Sequence, residues 1–227
     1  MSNYINQFFF GIYPYIAITV FLVGSLLRYD RDQYTWKASS SQMLSKKGMR
    51  LGSNLFHIGI IMLILGHLGG LLTPQWAYHV LMSSATKQLV AMTAGGIFGL
   101  ICLVGLVILI RRRLTDKRIR ATSEASDLPI LFILLAQLLT GLLTIPFSAQ
   151  HLDGSAMVAL GNWAQHVVTF RGDAASFILG QAFIFKIHLV LGLTIVLIFP
   201  FTRLVHIWSA PIQYLTRTGY QIVRKRG

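Results

Sequence analysis

Four of the seven histidines lie in long apolar stretches of the sequence, namely His57, His67, His188 and His206. Ionisable side chains are rare inside membranes and usually mark a functional site, although one alone can simply be a hydrogen-bond partner between helices. Neutral imidazole is a common ligand for iron, and an iron held by two imidazoles has no free position for oxygen. Two pairs of such histidines would each grip one planar iron macrocycle that transfers electrons.

Five apolar segments are long enough to carry these histidines through a bilayer, which takes roughly 20 residues. Hydrophobic residues make up 54% of the chain and charged residues 12%, against a usual charged share of about 25%. The sequence therefore predicts an all-α integral membrane protein with a bundle of five transmembrane helices in one domain, residues 1–227. The helices are expected at about 5–28, 51–72, 88–110, 128–147 and 182–208, followed by a cytoplasmic tail at 209–227.

Positive charge dominates, with 20 Lys and Arg against 7 Asp and Glu. The charges form short blocks between apolar runs and no basic face of a soluble domain, which argues against nucleic acid as a partner. Nearly all of them fall in the first and third connections and at the C-terminal end, whereas Lys87, Arg171 and Lys186 lie on the other side. By the positive-inside rule, the N-terminus is predicted to be periplasmic and the C-terminus cytoplasmic.

Depth in the membrane predicts which histidines pair, because the second and fifth helices run in opposite directions. His67 should face His188 near the outside, and His57 should face His206 near the inside. The spacing fits imperfectly, since ten residues rise about 15 Å and eighteen rise about 27 Å. Pro200 should bend the fifth helix and absorb part of that difference.

Two cations lie near these histidines, Lys186 and Arg203, and are candidates to pair with the propionates of a haem. Ordinary snorkelling to the membrane surface is the alternative for both. The single cysteine, Cys102, excludes an iron–sulfur site built from this chain's own cysteines. The outer connection contains a mildly amphipathic stretch, Leu152–Phe170, that is expected to lie in the membrane interface.

Several long strings make the sequence resemble the gamma (cytochrome b) subunit of membrane-bound respiratory nitrate reductase. They are FFFGIYPY at Phe8–Tyr15, LRYDRDQYTW at Leu27–Trp36, SNLFHIG at Ser53–Gly59, LLTIPFSAQHLDG at Leu142–Gly154 and FPFTRLVHIWS at Phe199–Ser209. The resemblance runs nearly the full chain and includes all four histidines.

The resemblance implies two b haems, an outer (distal) one on His67 and His188 and an inner (proximal) one on His57 and His206. It also implies a quinol site beside the outer haem, with Lys87, Gly66 and His67 as its residues. Lys87 without the resemblance would be an interfacial anchor. The implied activity is quinol oxidation near the periplasmic face of the bacterial inner membrane, in anaerobic nitrate respiration. The implied partners are an iron–sulfur beta subunit and a molybdenum-containing alpha subunit, since nitrate reduction occurs on another subunit.

Other functions fit parts of the pattern. The cytochrome b subunit of a formate dehydrogenase or hydrogenase would also hold two haems in few helices. A haem-free transporter would use the histidines on a proton or solute path, but the inverted repeats and intramembrane carboxylates common in such proteins are not evident. A passive membrane anchor is a further alternative, and the colour of the purified protein separates all the haem-free functions from the others.

Overall fold

The structure, a computed structural model, describes residues 2–37, 40, 41 and 43–209, and within these ranges it contains helices and no strand. Five helices are long and apolar enough to cross a membrane, so the chain is a multi-pass membrane protein, as predicted. A shorter helix lies in the connection before the last of them, and two helices of about one turn lie at Gln75–Tyr78 and Lys117–Ala121. In chain order the longer helices are α1 (Asn3–Arg31), α2 (Met49–Leu72), α3 (Ser84–Thr115), α4 (Asp127–Ser148), α5 (Ser155–Val168) and α6 (Phe183–Ile198).

The fifth helix, predicted at about 182–208 with a bend at Pro200, is shorter than predicted, because α6 ends at Ile198. Pro200 lacks an N–H group and its ring clashes with the carbonyl four residues earlier, which favours a kink or an end at this point. Proline alone does not decide between the two, because Pro146 lies inside α4. A 3₁₀ turn follows, the backbone becomes extended at Thr202, and a second 3₁₀ segment covers Arg203–Ser209. The other four predicted ranges lie inside the observed helices. The predicted tail lies outside the described residues from position 210 onward.

Helices α2 and α3 pack closely along glycines. A Cβ atom built on Gly105 would lie 2.3 Å from the backbone nitrogen of Phe56, and one on Gly59 would lie 2.5 Å from the Cβ of Cys102. Small residues allow this approach, and in lipid the resulting dispersion contacts are a main source of helix association. The face of α2 that carries Gly59 therefore packs on α3, whereas Gly66 and Gly69, next to His67, face open space.

The remaining long helices follow one another around the bundle: α3 packs on α4, α4 on α6, and α6 on α1. Within the described residues, α2 makes at most marginal contact with α1 and α6. The bundle is thus open between α2 and α6, the two helices on which sequence analysis places the histidines.

Helix α5 closes the outer end of this opening. The Trp163 indole donates a hydrogen bond to the carbonyl of Phe10 in α1, at 2.9 Å, and the Gln165 amide donates to Leu71 in α2, at 3.0 Å. Trp163 is 6% exposed, so one face of this stretch packs on protein. Its location in the membrane interface stays a prediction. Its apolar face packs on protein because α1 and α2 leave a surface there to cover.

Candidate functional site

The structure brings His67 of α2 and His188 of α6 face to face. Their ring centres are 6.1 Å apart and the ring planes differ by 39°. A metal ion bound by both rings, with metal–nitrogen bonds of about 2.0 Å and about 1.1 Å from each nitrogen to its ring centre, would separate the centres by about 6 Å. The spacing between the ring centres matches that of two imidazoles on one metal ion, while both ring nitrogens of His188 lie within 3.4 Å of side chains of α4.

A second pair is formed by His57 of α2 and His206, which lies on the 3₁₀ segment beyond α6. The ring centres are 6.4 Å apart and the planes differ by 72°. This spacing also fits a single ion held from both sides. The turn after Thr202 resolves the predicted mismatch in rise, because His206 is not carried by the transmembrane helix itself.

Three of the four imidazoles have one nitrogen bound to a backbone carbonyl. The bonds are His57 Nδ1 to Ser53 O at 2.7 Å, His67 Nδ1 to Leu63 O at 2.7 Å, and His206 Nδ1 to Arg203 O at 2.6 Å. A carbonyl only accepts, so the proton of each ring lies on Nδ1 and the lone pair on Nε2 is available to a metal. Such second hydrogen bonds orient histidine ligands in metal proteins.

His188 is oriented by α4. Its Nδ1 lies 3.2 Å from the hydroxyl oxygen of Thr140, and its Nε2 lies 3.4 Å from the amide nitrogen of Gln137. Gly141 makes room, since a Cβ there would lie 2.9 Å from the imidazole Cε1. The amide oxygen of Gln137 is buried and has no hydrogen-bond partner in the described part of the chain. The contact with His188 is therefore the only hydrogen bond found for this amide among the described residues.

The surroundings of the pairs suit a flat ligand better than a bare ion. Beside His67, a Cβ on Gly66 or Gly69 would meet no atom within 4 Å. No group of three or more His, Cys, Asp or Glu that could hold a metal ion occurs among the described residues. Each pair could supply two imidazole ligands to a porphyrin iron, whose other four ligands come from the macrocycle.

Lys87 lies in the first turn of α3, near the C-terminal end of α2. Its ammonium donates to the carbonyl of Thr73 at 3.3 Å and sits 3.7 Å from the centre of the Tyr78 ring. Thr73 is six residues beyond His67, about 9 Å along a helix. The structure therefore places Lys87, Gly66 and His67 at the same end of the bundle.

The two predicted propionate partners have partners within the chain. Lys186 donates to the carbonyl of Leu179 at 2.8 Å. Arg203 pairs with Asp127 at 3.3 Å, close to the inner imidazoles. Pairing of either cation with a haem propionate stays a prediction.

Comparison with known proteins identifies the family. The family described as "Nitrate reductase gamma subunit" matches residues 6–226. The chain belongs to this family. It is 58% identical to respiratory nitrate reductase 1 gamma chain of Escherichia coli (strain K12) over 224 residues, covering 99% of both chains. It is 59% identical to respiratory nitrate reductase 2 gamma chain of the same organism over 226 residues, covering 100% of both.

A more distant relative is the nitrate reductase gamma chain of Bacillus subtilis (strain 168), at 41% identity over 222 residues, 97% of this chain and 99% of that one. The resemblance stated from the sequence is confirmed. Membership of the nitrate reductase gamma subunit family favours a nitrate reductase subunit over a subunit of formate dehydrogenase or hydrogenase and over a transporter.

A buried charge cluster of this gamma-family chain was missed by sequence reasoning. Asp127, at the start of α4, is 2% exposed and pairs with both Arg113 and Arg203. The only local signal was a carboxylate in the first turn of a helix, which the helix dipole explains without any partner. Arg28, described below, was missed because its partners are 172 and 174 residues away in the sequence.

Proposed function

We propose that this chain is the quinol-oxidising, di-haem b membrane subunit of a respiratory nitrate reductase. The observation that carries the proposal is the two imidazole couples, with 6.1 and 6.4 Å between ring centres, which join α2 to α6 and to the 3₁₀ segment beyond it. When bound, the two haems supply one-electron carriers that connect the outer and inner faces of the membrane. His67 and His188 hold the outer haem, and His57 and His206 the inner one.

The chain's own residues then have defined roles. The backbone carbonyls of Ser53, Leu63 and Arg203 keep three of the imidazoles in the tautomer that binds metal. The two ligands from α2 lie on one rigid helix, which sets the spacing between the two sites. Helix α5 covers the outer end, which limits the access of water to the outer pair.

Quinol oxidation is assigned to the outer end, beside Lys87. The open surface at Gly66 leaves room for a ring next to His67. Lys87, tethered by Thr73 and Tyr78, donates a hydrogen bond to a quinol oxygen and stabilises the negative charge that develops as protons leave. With the N-terminus periplasmic, the two protons of each quinol are released outside while its two electrons move inward, which separates charge.

The inner end is assigned to a soluble partner. Nitrate reduction requires a centre on another subunit, so the electrons pass to an iron–sulfur beta subunit and then to a molybdenum-containing alpha subunit. The basic first and third connections suit the cytoplasmic side of a bacterial inner membrane. The names of the relatives, gamma chains of respiratory nitrate reductases, support this assembly.

The haem assignment is tested by reduced-minus-oxidised spectra and haem content of the purified complex. We expect two b haems per chain, loss of the outer one in His67→Ala, and no loss in His151→Ala, a histidine of the outer connection outside both pairs. A wild-type complex without b-type bands would refute the proposal.

The quinol site is tested by Lys87→Ala and Lys87→Arg. Loss of the ammonium should depress quinol oxidation while both haems remain, and Lys87→Arg should retain more activity than Lys87→Ala because it keeps the positive charge. Loss of haem from Lys87→Ala would instead assign Lys87 a structural role.

A further inference from the structure

His206 is held by tertiary contacts rather than by the helix that precedes it. The α-helix ends at Ile198, the backbone is extended at Thr202 (φ −122°, ψ 176°), and His206 lies on the seven-residue 3₁₀ segment Arg203–Ser209. Such short 3₁₀ segments have poor hydrogen-bond geometry and little stability of their own. Whatever fixes the segment also fixes the imidazole that faces His57.

Arg28, at the cytoplasmic end of α1, binds the backbone just beyond the end of α6, which is called the break below. One of its terminal nitrogens, Nη1, donates to the carbonyl of Pro200 at 2.6 Å and to that of Thr202 at 2.9 Å. Both carbonyls lie where a helix end leaves acceptors without intrahelical donors. One cation therefore satisfies the two acceptors on either side of Phe201.

The other half of the same guanidinium is anchored in the first connection. Nε donates to the Thr35 hydroxyl at 3.3 Å and Nη2 to the Thr35 carbonyl at 2.9 Å. The planar, five-donor group of arginine suits this two-sided binding, whereas a lysine ammonium is a compact charge without a rigid fork. Arg28 thus joins the first connection, at Thr35, to the break.

The shape of α1 supports the same placement. Gly24, one turn before Arg28, packs against Pro200, since a Cβ on Gly24 would lie 2.9 Å from the Cγ of the proline ring. One turn further back, Phe21 stacks on Trp208 with ring centres 5.3 Å apart. Positions 21, 24 and 28 share one face of the helix, so a single face of α1 contacts the chain before and after His206.

From the opposite side, Asp127 pairs with Arg203, whose carbonyl accepts the hydrogen bond from His206 Nδ1. The segment therefore contacts α1 through the carbonyls of Pro200 and Thr202, and contacts α4 through Arg203. The outer pair shows no such arrangement, because His188 lies within the continuous helix α6.

We propose that Arg28 is a positioning residue for the inner haem: by bridging Pro200 and Thr202 to Thr35, it sets the place of His206 opposite His57. The inference rests on the di-haem function proposed above. It predicts that loss of Arg28 affects the inner haem and spares the outer one, although Arg28 is not itself a ligand.

The test uses the complete nitrate reductase complex carrying gamma-chain variants Arg28→Ala and Arg28→Lys. Haem b per chain is measured together with the two low-spin ferric haem signals in electron paramagnetic resonance and their midpoint potentials. His206→Ala and His67→Ala assign the signals to the inner and outer haem. Arg31→Ala, which removes an exposed arginine of the same helix end, is the matched control.

We expect Arg28→Ala to lose the inner haem, so that haem content falls from two to about one per chain while the outer signal is unchanged. Arg28→Lys should keep more inner haem than Arg28→Ala, with a shifted inner signal and potential. Gly24→Ala, which pushes Pro200 away with Arg28 intact, should shift the inner signal as well. Arg31→Ala should match the wild type.

Two results would overturn the proposal: an unchanged inner signal in both Arg28 variants, or an equal loss of both haems, which would make Arg28 a general stabiliser of the bundle. If Arg28→Ala does not assemble, Arg28→Lys and Gly24→Ala decide by the same criterion. Absence of haem from the wild-type complex would instead refute the di-haem function before any variant is compared.

Discussion

The glycine contact between α2 and α3 yields a sharp prediction for one methyl group. In Gly105→Ala, the new Cβ would lie 2.3 Å from the nitrogen of Phe56 and 2.8 Å from the carbonyl oxygen of Gly52. Both are backbone atoms, so no side-chain rotation can relieve the overlap. Since non-bonded atoms prefer about 3.5 Å, the two helices must separate locally by about 1 Å.

The expected cost is about 1–3 kcal/mol, the usual range for overpacking a tight interface. Gly95→Ala is the matched control on the same helix, because a Cβ at position 95 meets no atom within 4 Å. That control should be neutral or stabilising, since alanine is favoured over glycine in a helix interior by about 1 kcal/mol. Replacing glycine by alanine should thus lower stability at position 105 and leave it unchanged or raise it at position 95.

The chain provides its own probe for this comparison. Cys102 is its only cysteine, is 1% exposed, and lies at the α2–α3 contact. Labelling of Cys102 by a thiol reagent at increasing temperature, read by peptide mass spectrometry in the purified complex, reports opening of that contact. The midpoint should fall for Gly105→Ala by about 2–4 °C per kcal/mol at this chain length. Equal midpoints for the two variants would refute the close packing of α2 on α3.

Three further substitutions test other contacts. Asp127→Ala leaves the buried guanidinium of Arg113 without its carboxylate, so stability should fall by about 3–5 kcal/mol, measured by the same thiol labelling. Gln88→Leu removes the amide that donates to two carbonyls before α5, and limited proteolysis should cut that connection faster. A hydrogen bond from His166 lowers the pKa of Asp173 below its ordinary 3.8. The thermal midpoint of Asp173→Asn should therefore lie below that of the wild type at neutral pH, and the two should converge as the pH falls through that lowered pKa.

Much of the fold follows from composition. Apolar length predicts the five spans, and opposite helix directions predict which histidines meet, because both depend only on position along the chain. The pairing of His67 with His188 and of His57 with His206 is a consequence of depth, and the ring distances agree with it.

The end of α6 shows what the sequence does not reveal. Pro200 predicts a bend, but whether the helix resumes beyond it depends on which groups bind the freed carbonyls. Arg28 supplies those bonds from α1, and nothing in its own neighbourhood distinguishes it from the other basic residues of the first connection. The same holds for Asp127, whose two arginine partners come from different helices.

The outer connection shows the same limit. An amphipathic stretch suits a lipid surface and a protein surface equally well, so its amphipathic pattern alone does not tell which one it covers. The bond from Trp163 to Phe10 shows that part of the stretch covers protein, and it joins residues 153 positions apart.

Helix α2 packs on α3 along its length, and α5 covers one end of it. The open side of the paired imidazoles is therefore the gap between α2 and the helices α1 and α6. This opening runs along the apolar length of α2, which suits contact with acyl chains rather than water. In a bilayer, long-tailed and planar hydrophobic compounds would therefore reach it more readily than ions from the aqueous phase.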